Sequence, residues 1–159
     1  VEVLHPDTPA ARDINTNSVV LRLTYGGRQV LLAGDATKRS EQSMLTALPA
    51  GALRADVLKI AHHGSRGSNT APFLAAVAPQ AYVIMCSANN SYGHPHAQAM
   101  ERIAAQGGAV LRTDRDGSVT LLLWPERGTL TGALSGRTLT LTPPSAAAHS
   151  DRTAGLAGD

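Results

Sequence analysis

Apolar residues along this chain come in short runs, most of them closed by glycine or by a polar cluster. Residues 18–35, SVVLRLTYGGRQVLLAGD, predict two strands joined by a tight turn at Gly26 and Gly27, with Val20, Leu21 and Leu23 in the first and Val30, Leu31 and Leu32 in the second. TKRSEQSMLTAL then changes to helical spacing, with Met44, Leu45 and Leu48 on one face and Pro49 at its end. ADVLKIA predicts a short buried strand, after which Asn69 or Thr70 caps a helix that turns Phe73, Leu74 and Val77 inward. AYVIMC reads as another strand. AQAMERIAAQGG reads as a helix carrying Met100, Ile103 and Ala104 on one face and stopped by Gly107 and Gly108. AVLRTDRDGSVTLLLW predicts a hairpin turning at Asp116-Gly117, and weaker strand candidates lie around Leu130 and Leu139. Residues 143–159 have no periodicity and read as a disordered tail. Strand and helix alternate three times, which implies an α/β layer with partly parallel strands and antiparallel edges.

Composition narrows this only a little. A chain of 159 residues holds one domain, and with 3% aromatic residues its core must be built from Leu, Val, Ala and Ile. The formal charge is +2, with twelve arginines against two lysines, which suits an acidic or phosphate ligand without demanding one. Arg66, Arg112 and Arg115 lie near the polar clusters, where a solvated face is the plain alternative. Cys86 is the only cysteine; it excludes a disulfide framework and a thiolate zinc site, and reads as a small buried hydrophobe. No apolar stretch is long enough to span a bilayer. The chain opens at Val1 on residues that already read as the middle of a fold, so it is expected to be a piece of something longer.

Three polar clusters change the picture more. Gly34-Asp35, His62-His63-Gly64-Ser65 and Gly93-His94-Pro95-His96 each follow an apolar strand. In an open α/β sheet ligands gather beyond the carboxyl ends of the strands, so successive β–α units bring all three to one edge. A carboxylate with imidazoles and no thiolate suits Zn²⁺, Mn²⁺ or Fe²⁺. An aspartate there can bridge two ions roughly 3.5–4 Å apart, a pair that activates water and stabilises the leaving oxygen of a phosphodiester. Each cluster also has a plain reading: a turn for Gly-Asp, capping or proton-carrying groups for the histidine pair, and a helix cap for Gly-His-Pro-His. A serine hydrolase built on Ser65 or Ser68 with His63 is set aside, because no G-x-S-x-G elbow is present and a serine following histidine in one loop gives poor triad geometry.

The segments NTNSVVLRLTYGGRQVLLAGD, ADVLKIAHHGSRGSNTAPFLAAVAPQAYVI, NNSYGHPHAQAMERI and VLRTDRDGSVTL, in this order and at compact spacing, resemble the metallo-β-lactamase-like domain of ComEC-type DNA internalisation competence proteins, over about residues 1–123. The resemblance implies an α/β fold that is the second half of a metallo-β-lactamase-like αββα sandwich, with residues 1–142 as the C-terminal part of that domain. It implies Asp35 as the bridging metal ligand and His63 as the later histidine ligand. His62 then contacts substrate or supports the ligands, and His94 sits by the substrate as proton donor or phosphate contact. Gly64, Ser65, Arg66 and Ser68 are the implied phosphate contacts, with Arg115 following the DNA backbone. Two divalent ions, zinc or manganese, belong to the intact domain. The implied partners are single-stranded DNA or an entering duplex, the remainder of the domain and a membrane channel upstream, with no lipid contact from this segment. The implied place is the extracytoplasmic face of the inner or plasma membrane.

The superfamily's main metal motif, H-x-H-x-D-H, does not precede Gly34-Asp35. The only earlier histidine is His5, in LHPD, and DINTNS stands where many relatives carry a further histidine. Asp13, Asn15 and Asn17 supply oxygen there, but asparagine substitutes poorly for imidazole at zinc. The chain is expected to hold about half of the metal's ligands, to be inactive alone, and to leave a large apolar sheet face uncovered. The leading expectation is therefore the C-terminal half of a phosphodiesterase or nuclease domain that hydrolyses DNA by metal-activated water during transformation. Two others stand beside it: a non-catalytic nucleic-acid-binding or scaffolding module with a degenerate site, and a stand-alone metallo-hydrolase acting on another ester.

Overall fold

Alternation along the strands decides the layers of the molecule. A computed structural model describes residues 1–6, 13–125 and 127–143; the tail expected at 143–159 lies, Pro143 apart, outside the described residues. β2 (Val20–Tyr25) and β3 (Arg28–Leu32) form the hairpin around Gly26 and Gly27, and β1 (Glu2–His5) adds an antiparallel edge to β2. β3 pairs in parallel with β4 (Val57–Lys59), β4 with β5 (Ala81–Ile84) and β5 with β6 (Ala109–Arg112). The six strands lie in the order β1-β2-β3-β4-β5-β6. The three parallel crossovers carry α1 (Lys38–Ala47), α2 (Ala71–Val77) and α3 (Ala97–Gln106).

Successive strand residues point to opposite faces. Leu31, Leu58, Tyr82 and Ile84 pack with Met44, Phe73, Leu74, Val77 and Ile103 from the three helices. Val30, Val57, Ala81 and Leu111 face the other way and pack with Leu130 and Leu141. Those two residues belong to a second, antiparallel sheet of β7 (Val119–Leu123), β8 (Gly128–Gly132) and β9 (Thr138–Leu141). The layers are helices, mixed sheet and small sheet. The uncovered face expected from the sequence is thus closed over β3 to β6 by the small sheet, and exposed apolar residues such as Val1 and Val3 remain beside the β1 edge. Arg28, fully buried, ties the end of β9 to the hairpin by donating to the carbonyls of Thr142 and Leu141.

One predicted element is corrected. The chain does not make a hairpin at Asp116-Gly117; β6 ends in the large sheet and β7 begins in the small one. Between them Thr113–Asp116 form a single helical turn, α4. The reason lies in two carboxylates that fold back on Arg112. Asp114 receives its guanidinium at 3.0 and 2.6 Å, and Asp116 takes its backbone N–H at 2.8 Å, which spends the donor that a hairpin partner would need. β1 is an addition that the sequence reading did not foresee. No helix among the described residues is long and apolar enough to cross a membrane.

Candidate metal and phosphodiester site

The carboxyl ends of β3, β4 and β5 bring the three polar clusters together. After β3 the chain turns through Gly34, whose φ of +52° and closeness to the Val19 carbonyl, 2.8 Å from where a Cβ would sit, leave room for glycine alone. Asp35 follows, its N–H donating to the Ser18 hydroxyl at 3.2 Å, with its carboxylate partly exposed. After β4, His62 and His63 both adopt left-handed backbone (φ 49° and 52°), an unfavourable conformation for residues bearing a Cβ. That backbone turns the His63 ring toward Asp35, with Nε2 3.6 Å from Oδ1.

His63 is fixed from behind. Its Nδ1 lies 2.6 Å from the carbonyl oxygen of Met85, and a carbonyl only accepts, so Nδ1 carries the proton. In the neutral ring the Nε2 lone pair then faces a carboxylate oxygen, an arrangement that calls for a cation or a donor between them. Two ligands of one tetrahedral ion with bonds of about 2.0–2.1 Å sit at a comparable separation, and a carbonyl behind the other nitrogen is the usual support of a metal-binding histidine. Asp35 and His63 thus fit a divalent ion as two of its ligands. Among the described residues, no group of three His, Cys, Asp or Glu side chains is placed to hold an ion.

Imidazoles line the rest of the site. The His94 ring lies 5.8 Å from His62, 6.1 Å from His63 and 4.9 Å from His96. Burial, reinforced by the neighbouring imidazoles His96, His62 and His63, pushes the His94 pKa down, which favours its neutral form. Lys59 donates to the Gly34 carbonyl at 3.1 Å, and burial pulls its pKa down against the attraction of Asp35. It braces the turn that presents Asp35.

The loop after the histidines is held on two sides. Glu41 of α1, fully buried, accepts the N–H groups of Asn69 and Thr70. Arg102 of α3 donates to the carbonyls of Arg66, Ser68 and Asn69. Asn69 does not cap α2; its amide bonds both the N–H and the carbonyl of Ala61, while Thr70 occupies the N-cap position without a side-chain bond to the helix. Gly64 (φ +84°) touches the second histidine loop so closely that a Cβ would stand 2.5 Å from Cβ of Pro95. The loops also share backbone bonds, His96 N–H to the Gly64 carbonyl and Arg66 N–H to Nδ1 of His96.

These bonds define what the expected phosphate loop offers. Gly64 and Ser68 are buried, and the Ser68 hydroxyl donates to the Ala36 carbonyl at 2.7 Å. The N–H groups of Ser65, Arg66, Gly67 and Ser68 all have acceptors inside the protein. The structure therefore gives Gly64 and Ser68 a task in packing the loop, and leaves the exposed Arg66 and the half-exposed Ser65 toward solvent. Arg115 is exposed on α4.

The segment before β2 is bonded both within itself and to the start of α1, where the Ser40 hydroxyl donates to the Thr16 carbonyl at 3.0 Å. Asp13 accepts from the Thr16 hydroxyl at 2.7 Å and the Asn15 N–H at 3.1 Å, bonds that hold its carboxyl below the usual range. Buried His5 lies 2.7 Å from the Thr16 carbonyl and braces this turn. Cys86 is half-buried rather than a core hydrophobe: its thiol donates to Asp114 at 3.3 Å, and burial together with that carboxylate pushes its pKa up.

Sequence comparison places this geometry. The chain is 37% identical to ComE operon protein 3 of Bacillus subtilis over 117 residues, 74% of the chain. It is 36% identical to Competence protein ComA of Neisseria gonorrhoeae over 118 residues, and 32% identical to Recombination protein 2 of Haemophilus influenzae over 126 residues. The chain belongs to the ComEC-type competence family. It spans only 15 to 17% of the length of these relatives and matches one segment of each. No protein-family model matches the chain.

Lys59, Glu41, Arg102 and Asn90 escaped sequence reasoning. Glu41 had left a signal: it stands three, four and seven residues before Met44, Leu45 and Leu48, on the apolar stripe itself. A carboxylate there requires buried donors. Asn90 accepts the His94 N–H and donates to the carbonyls of His94 and Ser87, so it shapes the second histidine loop.

Proposed function

We propose that this segment is the C-terminal part of a metal-dependent phosphodiesterase domain that hydrolyses DNA during DNA uptake. The observation that carries the reading is the Asp35–His63 pair, 3.6 Å apart with the far nitrogen of His63 pinned to Met85, in a chain of the competence family. Asp35 and His63 would hold a divalent ion, zinc or manganese, with further ligands supplied from outside the described residues and room for a second ion in the complete site. When bound, such an ion acidifies a water and neutralises charge developing on a phosphoryl group. His94, held toward its neutral form, is suited to take a proton from an incoming water or pass one to the leaving oxygen. His62 stands beside it, and Arg66 and Arg115 offer charge to the DNA backbone. The layer order of helices, mixed sheet and small sheet is compatible with a metallo-β-lactamase-like αββα sandwich, to which another part of the protein would contribute. The domain would work on the extracytoplasmic face of the inner or plasma membrane, beside a channel for the strand.

The test is metal analysis and DNA cleavage by the full-length protein and its Asp35→Ala variant. Cleavage and bound metal should both disappear in the variant; unchanged cleavage ends the proposal. The shortage of convergent ligands among the described residues favours a second reading, a DNA-binding module without catalysis. Metal-independent DNA binding with no cleavage by the wild-type protein would select it.

A further inference from the structure

Beside the Asp35–His63 pair lies a cavity of about 230 Å³ bounded by His63, Met85, Cys86, Ser87, Tyr92 and His94. Its rim carries two unusual exposures. Tyr92 is 76% exposed and Met85 is 49% exposed, in a chain with only three tyrosines, one tryptophan and one phenylalanine. Tyr92 lies nearly parallel to His94, at 5.7 Å and 18°, and His94 nearly parallel to His63, at 6.1 Å and 22°. Three rings with a shared orientation therefore run from the solvent to the nitrogen that faces Asp35. Most of the Tyr92 side chain is open to solvent.

We propose that this cavity, with the Tyr92 ring as its platform and Met85 as its apolar wall, receives one unpaired nucleobase of a DNA strand whose phosphate lies at Asp35 and His63. The proposal rests on the DNA-hydrolysis reading above and adds the strand state of the substrate. The size selects the occupant: the cavity is smaller than the roughly 300–1,000 Å³ pockets that enclose a whole drug-sized ligand, and suits one planar ring system rather than a base pair. The chemistry of the wall selects it too. An aromatic face accepts any base, and a sulfur-bearing side chain adapts to its outline. Polar groups that could read base edges are few. The Asn90 amide is committed to the carbonyls of Ser87 and His94 and to the His94 N–H, which leaves the Ser87 hydroxyl as the main exposed donor. The site therefore distinguishes single strand from duplex and is tolerant of sequence.

The experiment measures binding of a short oligothymidylate to the full-length protein in the Asp35→Ala background, where the strand is not cut. Tyr92→Ala should weaken binding roughly five- to hundred-fold, the span observed for one base stacked on an aromatic ring. Tyr92→Phe should bind like the parent. An oligothymidylate made abasic at every position should bind weakly and equally to both, and duplex of the same length should be insensitive to residue 92. Position 92 is strongly exposed, and unchanged circular dichroism checks the fold of the variant. Equal single-strand binding by Tyr92→Ala and the parent, or an equal loss on duplex, overturns the base site. If wild-type cleavage depends on Asp35 while Tyr92→Ala binds normally, the base site falls and the hydrolase reading stands. If no form cleaves but the Tyr92 effect is found, hydrolysis falls and the base site stands. Absence of both DNA binding and cleavage in the wild-type protein overturns both.

Discussion

Between Ala61 and Thr70 the chain is gripped from two helices, while between Cys86 and His96 it is tied to other segments at its two ends and shaped in between by one asparagine of its own. In the first loop Glu41 takes two N–H groups and Arg102 serves three carbonyls; Asn69 closes the loop on Ala61, and Gly64 lies against Pro95. In the second, Asn90 makes all three of its bonds within the loop, and Tyr92 extends into solvent. The difference matches what each loop presents. His63 must be held in a disfavoured backbone conformation with its ring aimed at Asp35, and only a rigid surround maintains such strain. His94 and Tyr92 face the side from which substrate would enter, where some adaptability costs little.

Breaking the grip on the first loop should have the largest effect. Glu41→Ala leaves the N–H groups of Asn69 and Thr70 without an acceptor in the interior and should destabilise the protein by about 2–4 kcal/mol, read by chemical denaturation. Gly64→Ala must accommodate a left-handed φ and a clash with Pro95, and should cost ~1–3 kcal/mol while separating the two loops. Its expected signature is a larger loss of metal affinity than of thermal stability. Asn90→Ala should cost under about 1 kcal/mol because its loop is near solvent, yet should lower DNA cleavage more than the change in melting temperature suggests. Equal stability losses from Glu41→Ala and Asn90→Ala would erase the contrast between the loops.

The smallest expected effect is one of pH. Burial raises the Glu41 pKa above its ordinary 4.5, against the opposing hydrogen bonds from Thr70 and Asn69 and the charge of Arg102. A raised carboxyl in the folded state binds more protons than in the unfolded chain, so its contribution is fully present below pH 4.5 and is lost as pH rises through the folded value. The stability advantage of the wild type over Glu41→Gln should therefore be greatest in acid and narrow toward neutral pH. A constant difference across that range would remove Glu41 as a titrating brace.

Much of the frame was legible. The Gly26-Gly27 hairpin, the three strand–helix alternations and the strands around Leu130 and Leu139 stand out because their signals are local: a turn pair, a spacing, a stop residue. The failures were also specific. VEVLH is too short to show a period, and β1 exists because β2 offers it an edge. The apolar runs around Asp116-Gly117 look like a hairpin until Asp114 and Asp116 are seen to fold back on Arg112. At the site, the three clusters could be read from strand ends alone. The carbonyl behind His63, the reach of Arg102 and the internal use of the Ser68 hydroxyl could not, since each joins residues 22 to 36 positions apart.

By itself the sequence determined which residue types stand at the ends of the parallel strands, and thereby a carboxylate and imidazoles on one sheet edge. That follows from the chain's local periodicity, which sets strand direction and the position of each turn. Only the tertiary structure decided which nitrogen of His63 faces Asp35, which loop is rigid, and that an open ring and a small cavity lie beside them. Those properties depend on hydrogen bonds and contacts between distant segments, whose partners are chosen by packing and leave no spacing to read.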